Sequence, residues 1–158
     1  MDVNEIVRML GMNVHPEGGY FVESYRAKQI KDTIVGNRSV CTAIYYLLPK
    51  GAKSRLHRIK SDEIWHFYLG GPLVVGGIDF EGKPYEVKVG PDLKNGEQLQ
   101  FVVPKGNWFG AYPSEGTEFA LVGCTVAPGF EFEDLEMGVR EDLLAQYPEA
   151  QSLIEKLT

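Results

Sequence analysis

Short apolar runs separated by turn residues fill the middle of the chain. β-branched and aromatic residues recur there in short runs, and Gly, Pro, Asn and Asp interrupt them. Such runs without intervening helices predict the short strands of a β-sandwich or barrel and not a parallel α/β sheet. The predicted strands are Gly19–Tyr25, Val40–Leu48, Lys53–Arg58, Glu63–Leu69, Leu73–Phe80, Pro84–Val89, Gln98–Val103, Trp108–Tyr112 and Phe119–Val126. The sequence Phe80-Glu81-Gly82-Lys83 predicts a hairpin turn between two of them.

Helical spacing of apolar residues is confined to the two ends of the chain. The segment 4–10 predicts a short helix, capped by Asp2 or Asn4 and ended by Gly11. The segments 141–147 and 149–157 predict two more helices, with Pro148 in the first turn of the second. We expect these helices to cover the β-core or an edge strand, because uncovered sheet edges promote association.

Composition and charge narrow the class of protein. The 158 residues suit one domain, 1–158, and 16 basic against 22 acidic residues give a net charge of −6. That charge argues against binding to nucleic acid or to an anionic membrane. Cys41 and Cys124 lie in apolar β-like runs and are too few for a disulfide framework. With no secretory signal in the first residues, we expect reduced thiols and a cytoplasmic location.

Two titratable residues in one stretch are the candidates for chemistry. His57 and Glu63 fall on neighbouring predicted strands that the turn 60–62 joins, so a hairpin would bring them to one inner wall. An imidazole beside a carboxylate suits half of a metal site or a general base with its orienting acid. Strict alternation puts Arg55 on the same face as His57. His66 falls on the face opposite Glu63, where a structural role is expected.

The same stretch resembles the first cupin motif, G-x5-H-x-H-x3-4-E-x6-G. Gly51, His57, Glu63 and Gly70 fall in register, and Pro104-Lys105-Gly106 resembles the P-x-G of the second motif. Cupin metal sites usually use three histidines and the glutamate. Here Ile59 and Phe109 occupy two of the histidine positions. The resemblance therefore implies no metal cofactor, and His57 and Glu63 are the only ligands if a divalent metal binds.

Three further segments resemble the group known as cupin superfamily 5. They are His15–Arg26, Ser61–His66 and Val126–Phe130. The resemblance covers nearly the whole chain and implies an all-β fold, the cupin double-stranded β-helix or jelly-roll barrel, with short terminal helices. Proteins of this group are commonly homodimers, so the resemblance implies a homodimer. It does not imply a particular activity.

A shorter likeness suggests a ligand class. Residues 19–23, Gly-Tyr-Phe-Val-Glu, are similar to the G-x-F-x-E element that helps sugar-nucleotide 3,5-epimerases, metal-independent cupin folds, to hold their nucleotide. The resemblance implies ligand-binding roles for Phe21 and Glu23. Arg26, Arg38 and Arg55 are candidates for phosphate contacts, because the guanidinium fork matches phosphate oxygens. Arg55 has the alternative role of pairing with Glu63.

Aromatic residues supply the remaining candidates. Trp65 and Trp108 are suited either to stacking on a base or sugar ring or to plain core packing, and Phe67 has the same two interpretations. Tyr46 and Tyr112 are candidates for returning a proton in catalysis.

Three hypotheses follow from these observations. The first is a small-molecule-binding cupin that holds a nucleotide, nucleotide sugar or phosphorylated sugar in the barrel, with epimerisation or isomerisation as the fitting reaction. The second is a metal-dependent oxygenase or isomerase of the usual cupin kind. The third is a non-catalytic ligand sensor or dimeric scaffold.

Overall fold

A computed structural model describes all residues, 1–158, and contains thirteen strands, three α-helices and three 3-10 helices, the last at Leu93–Asn95, Phe132–Asp134 and Pro148–Ala150. The strands are β1 (Asn13–Val14), β2 (Tyr20–Arg26), β3 (Ile30–Thr33), β4 (Gly36–Ser39), β5 (Thr42–Pro49), β6 (Ser54–Arg58), β7 (Asp62–Gly70), β8 (Leu73–Ile78), β9 (Pro84–Val89), β10 (Gln100–Val103), β11 (Trp108–Pro113), β12 (Phe119–Ala127) and β13 (Glu136–Met137). The helices are α1 (Val3–Leu10), α2 (Arg140–Gln146) and α3 (Gln151–Leu157). Each predicted apolar run coincides with a strand.

The strands form two antiparallel sheets that pack face to face as a jelly roll. One sheet has six strands in the order β1-β2-β5-β12-β7-β10, and the other has five in the order β13-β6-β11-β8-β9. β3 and β4 form a separate hairpin. The predicted turn after Phe80 does join the paired strands β8 and β9. The all-β fold with short terminal helices is therefore confirmed.

The main core lies between the two sheets, because alternate side chains of each strand point inward. Trp65 of β7 and Phe109 of β11 are its largest fully buried members. A second cluster, which includes Leu56 and Trp108, lies beneath α2 and α3. A third lies beneath α1, where Ile6 packs with Leu47 and Leu121. The terminal helices thus cover the outer faces of both sheets.

The N-terminal helix begins and ends as its sequence dictates. Asp2 accepts a hydrogen bond from the Glu5 amide, and the Glu5 side chain accepts one from the Asp2 amide, which makes a capping box. Gly11 ends the helix in the left-handed conformation, with φ of 63°. None of the three helices is long and apolar enough to cross a membrane.

Candidate functional site

A cavity of about 80 Å³ lies between the two sheets and opens to solvent at one end of the barrel. Its polar lining comprises His15, Glu17, Glu23, Arg26, Thr42, Tyr46, His57, Glu63, Cys124 and Glu131, and its apolar lining comprises Phe21, Ile44, Ile59, Val126, Phe130 and Phe132. Such a concave space with converging titratable groups is the default location of a ligand site.

A buried carboxyl–imidazole pair forms the centre of this cavity. Glu17 Oε2 lies 3.3 Å from His57 Nε2, and both side chains are almost fully buried. The Ser54 hydroxyl donates a hydrogen bond of 2.8 Å to the same Glu17 oxygen. Glu17 lies in the loop before β2, which is fixed to β6 because the Arg55 amide donates to the Glu17 carbonyl. The loop and the strand together set the distance between carboxyl and imidazole.

The hydrogen bonds of His57 define where its proton lies. His57 Nδ1 is 2.7 Å from the Arg55 carbonyl oxygen, which can only accept, so Nδ1 carries the hydrogen. In the neutral imidazole, Nε2 then presents a lone pair to Glu17. Burial lowers the pKa of His57 to about 4 and raises the pKa of Glu17 to about 6. Below about pH 6, the protonated Glu17 carboxyl donates a hydrogen bond to His57 Nε2, and the pair holds one acidic proton.

A β-bulge corrects one of the sequence predictions. His57 is opposite Phe109 and Ser54 is opposite Ala111, so three steps along β6 match two steps along β11. The bulge turns both Ser54 and His57 toward the interior. Arg55 is exposed, and its guanidinium donates to the Pro16 carbonyl at 2.8 Å. The prediction that Arg55 shares a face with His57 is therefore wrong. Arg55 does not line the cavity, and it does not form an ion pair with Glu63.

Glu63 reaches the cavity from the sheet opposite His57. β6 pairs with β11 and β13, whereas β7 pairs with β10 and β12, so the two strands do not form the predicted hairpin. The chain instead crosses between sheets after Arg58. Glu63 and His57 both line the cavity, but from facing walls and not from the single inner wall that the sequence predicts. The partner of His57 is Glu17.

The environment of Glu63 favours its neutral form. Its carboxyl is buried beside the Cys124 thiol, and burial together with the negative charge of Glu17 raises its pKa to about 8. At neutral pH, Glu63 is therefore a carboxylic acid that can donate a proton. The cavity holds two carboxyl groups whose pKa values differ, which is a common arrangement in acid–base sites.

His15 is a second imidazole in the cavity wall. Its Nδ1 accepts from the Glu17 amide at 3.1 Å, and its ring meets Phe21 edge-on at 4.6 Å between centroids. His15, Glu17 and Ser54 are not among the residues that sequence reasoning selects. The only signal for the first two is their place in the segment from His15 to Arg26, where Pro and Gly suggest a simple turn.

The predicted phosphate-binding arginines are already paired. Arg26 lies at the mouth of the cavity, where it bonds Glu23 through Nε and Nη2 and Glu131 through Nη1 at 2.8–3.0 Å. Arg38 lies outside the cavity and makes two hydrogen bonds of 2.8 Å to Asp134. Neither guanidinium is left free for a ligand.

The other predicted site residues divide between the cavity and the packing. Phe21, Glu23 and Tyr46 line the cavity. The Tyr46 hydroxyl donates to the Gly18 carbonyl at 2.7 Å. Four other predicted site residues do not line the cavity: Tyr112, Trp65, Phe67 and Trp108.

Those four have other neighbours. Tyr112 donates to Glu86 and accepts from Lys156, on the side of α3. Trp65 is core, Phe67 packs against the core, and Trp108 lies beneath the C-terminal helices. Strand alternation separates Trp108 from Phe109, so only one of these neighbours points inward.

The mouth of the cavity is aromatic, a feature that sequence reasoning missed. Phe130 and Phe132 follow β12 on a short strap, residues 128–135, and their ring centroids are 5.1 Å apart. Phe132 also approaches Phe21 and His15. Phe132 is 52% exposed, so an apolar surface faces whatever enters the barrel.

The donor set does not fit a cupin metal. Ile59 and Phe109, at two histidine positions of the motifs, are buried and apolar. The structure contains no group of three or more His, Cys, Asp or Glu side chains arranged to hold a metal ion. The His57 nitrogen that faces the cavity is occupied by Glu17.

Most of the chain matches a known protein family. The family model described as Cupin superfamily (DUF985) matches residues 4–138. Uncharacterized protein YML079W of Saccharomyces cerevisiae is 33% identical over 135 residues, which cover 76% of this chain and 67% of the yeast protein.

Two solved structures are similar over their whole length. Protein SO0799 from Shewanella oneidensis has a TM-score of 0.92 at 38% identity, covering 100% of this chain and 98% of that one. A hypothetical protein from Leishmania major has a TM-score of 0.93 at 31% identity, covering 100% and 99%.

Proposed function

Because the chain belongs to the DUF985 family of the cupin superfamily, we propose that its barrel interior binds a small metabolite and isomerises or epimerises it by proton transfer. The observation that carries this proposal is the 3.3 Å contact between Glu17 and His57 inside the cavity. A structural ion pair has no need to face an open cavity. Above about pH 6, an ionised carboxylate beside a neutral imidazole and next to a ligand space has the composition of a general base.

In the proposed chemistry, one wall of the cavity supplies the base and the facing wall supplies the acid. The Glu17–His57 pair takes one proton from a carbon next to a carbonyl group, which breaks the C–H bond and moves its electrons toward the carbonyl oxygen. Glu63 gives its proton to that oxygen, so the intermediate is a neutral enediol. For isomerisation, the proton returns to the neighbouring carbon, and the other hydroxyl oxygen gives its proton back to Glu63 as the new carbonyl forms. For epimerisation, a proton returns to the opposite face of the same carbon, and the first oxygen gives its proton back. No oxidant or metal is consumed.

The substrate class we propose is a sugar or a sugar derivative with a carbonyl group. An isomerase of this kind needs a general base near a carbon acid and a donor near the oxygen, and both groups are lining residues here. Nucleotide sugars and phosphorylated sugars, the ligands expected from the sequence, are included in the test below as separate arms.

Deuterium exchange tests the proposal without knowledge of the true substrate. The protein is incubated in D₂O with dihydroxyacetone, glyceraldehyde, ketohexoses, their phosphates and keto nucleotide sugars, and carbon-bound deuterium is followed by NMR. We expect exchange with at least one compound, and a loss of about 10²- to 10⁴-fold in Glu17→Gln and His57→Asn. Glu118→Gln, in an exposed pair with Lys50, is the matched control.

The outcomes separate the three hypotheses. Exchange that survives both substitutions contradicts the assigned base. Saturable binding without exchange supports a non-catalytic sensor. Exchange that appears only after a divalent metal is added supports the metal-dependent alternative.

A further inference from the structure

The charge of the cavity limits what can enter it. At neutral pH, Glu17 lies inside as a carboxylate and Glu63 lies inside in its neutral form. Glu23 and Glu131 lie at the mouth, and Arg26 is the only lysine or arginine among the lining residues. We infer that the part of the ligand inside the barrel is uncharged, a carbonyl or hydroxyl group, and that compounds with a phosphate or carboxylate there are rejected. This deepens the proposed function by naming a substrate class, and it rests on the cavity being the ligand site.

Arg26 has little capacity left for an anion. It makes four hydrogen bonds, two to the Glu23 carboxylate, one to Glu131 and one to the Phe130 carbonyl. A guanidinium has five N–H donors, so nearly all are satisfied. The two carboxylates also outnumber its single charge. A phosphate at the mouth would face repulsion from Glu23 and Glu131 and would have to displace one of them.

The interior supplies no other counter-charge. His57 accepts at Nε2 and donates Nδ1–H to a backbone carbonyl, so it presents no cationic face. The backbone amide of Glu17 donates to His15 Nδ1, which removes a donor that an anion would use. Arg55 and Arg38 are not lining residues: Arg55 bonds the Pro16 carbonyl, and its charge is the smallest influence on the pKa of Glu17, while Arg38 bonds Asp134. A neutral carbonyl oxygen, in contrast, accepts the proton that Glu63 carries.

The volume of the cavity and the aromatic surface at its mouth further define the class of ligand. The cavity, at about 80 Å³, is roughly half the size of an engineered cavity of about 150 Å³ that admits benzene. Only one end of a sugar-sized molecule therefore lies inside, and the rest lies against Phe21, Phe130 and Phe132. Aromatic faces pack well on the C–H surface of a neutral polyol. The inferred ligand is a small, neutral hydroxy-carbonyl compound, the reverse of the phosphate preference predicted from the sequence.

Imidazole NMR tests this inference because the three histidines report different places. His15 and His57 line the cavity, whereas His66 bonds Thr125 and Gln100 away from it and serves as an internal reference. The protein is titrated with dihydroxyacetone and its phosphate, and with glucose and glucose 6-phosphate. We expect the neutral member of a pair to move the His15 and His57 resonances and to bind about ten- to a hundred-fold more tightly than its phosphate.

A gain-of-function variant provides the reciprocal test. The double substitution Glu23→Gln and Glu131→Gln keeps both side chains similar in size and removes the two charges that neutralise Arg26. We expect it to gain affinity for the phosphorylated compounds, and inorganic phosphate to move the His15 resonance in this variant only. Glu118→Gln is the control for a lost surface charge, and circular dichroism checks folding of each variant.

The results distinguish this inference from the proposed function. Tighter binding of a phosphate than of its neutral parent overturns the inference, as does failure of every neutral compound to bind. Binding of neutral compounds without deuterium exchange leaves the inference standing and removes the acid–base function. If a phosphorylated compound binds better than its neutral parent and also exchanges deuterium, the acid–base function stands and the inference about an uncharged ligand is removed.

Discussion

Glu63 and Glu17 give the cavity an acidic interior whose protonation is linked to folding. The pKa of each carboxyl is raised in the folded protein, to about 8 and about 6, so each stabilises the fold below its unfolded pKa and ceases to do so as pH rises through the folded value. The pKa of His57 is lowered, to about 4, so His57 has the opposite effect below about pH 6.5. Between pH 6.5 and 8, Glu63 accounts for most of the pH dependence of these three groups, because Glu17 and the unfolded-state His57 finish their titration in the lower part of that range.

We therefore expect the free energy of unfolding to fall by about 1–2 kcal/mol between pH 6.5 and 8, since one proton changes it by about 1.4 kcal/mol per pH unit. Urea denaturation at several pH values measures this. Glu63→Gln should remove the slope and Glu118→Gln should keep it. A slope that persists in Glu63→Gln would assign the effect to another group.

Ile59 and Phe109 lead to a second expectation at this scale. Their side chains offer no lone pairs at two positions where cupin metal sites usually have histidines, so we expect no stoichiometric transition metal in the purified protein. Elemental analysis after dialysis without chelators measures the content. About one equivalent of Fe, Mn, Ni or Zn per chain would contradict this expectation.

Individual side chains are predictable where the strand pattern is regular and poorly predictable elsewhere. Glu63 stands out because a carboxylate inside an apolar strand requires an explanation. The prediction for Arg55 is wrong because a bulge in β6 breaks strict alternation, and no composition cue marks the bulge. Arg26 pairs with Glu23, three residues earlier, and also with Glu131, which lies 105 residues away along the chain. Only the second of these partners is hidden from the local sequence. Pairing at that distance depends on the tertiary fold.

The loop that carries Glu17 is the element on which the site depends. Gly18 has φ of 119°, and a Cβ there would lie 2.0 Å from the Lys53 carbonyl oxygen. Substitution must therefore push the loop away from β6. We expect Gly18→Ala to lower stability by about 2–4 kcal/mol and to separate Glu17 from His57, because a steric clash adds to the strain of positive φ.

Gly116 offers a matched control for this prediction. It also has positive φ, 80°, but a Cβ at this position would point into open space, with no neighbouring atom within 4 Å. Gly116→Ala should cost only about 1 kcal/mol, the strain alone. Thermal unfolding and the His57 imidazole shift measure both effects. Equal losses in the two variants would show that contact with Lys53 does not hold the loop.

Elements are predicted more completely than their pairing. The β-branched runs are sufficient to find the long strands, whereas β1, β3, β4 and β13 have only two to four residues and largely polar sequences. The hairpin expected between β6 and β7 is wrong because this fold sends those consecutive strands to different sheets. The local sequence predicts where a strand lies in the chain, but it does not predict which sheet the strand joins.

At the scale of the whole molecule, an exposed edge leads to a prediction about assembly. β1 is an edge strand of the six-stranded sheet, and Val14 is exposed, as is Tyr25 at the far end of β2, beyond the residues that β1 covers. Together with the dimer implied by the cupin resemblance, this leads us to expect a two-fold homodimer through the N-terminal β-segment. Light scattering should give twice the chain mass of 17.7 kDa.

A charge at the edge tests the location of the interface. Val14→Lys with Tyr25→Glu should give a monomer, whereas Phe80→Ser, at the distant turn between β8 and β9, should leave the dimer intact. A mass of one chain for the native protein at micromolar concentration would refute the dimer. A dimer that survives the double substitution would move the interface elsewhere.

The crossing of the chain from β6 to β7 has a stereochemical consequence. Because His57 and Glu63 project from different sheets, a flat intermediate between them has one face toward each wall. If the Glu17–His57 pair both removes and returns the carbon proton, handedness at that carbon is retained. If the returning proton comes from the wall of Glu63, handedness is inverted. The route of the chain between the sheets thus determines which configuration at that carbon the barrel can produce.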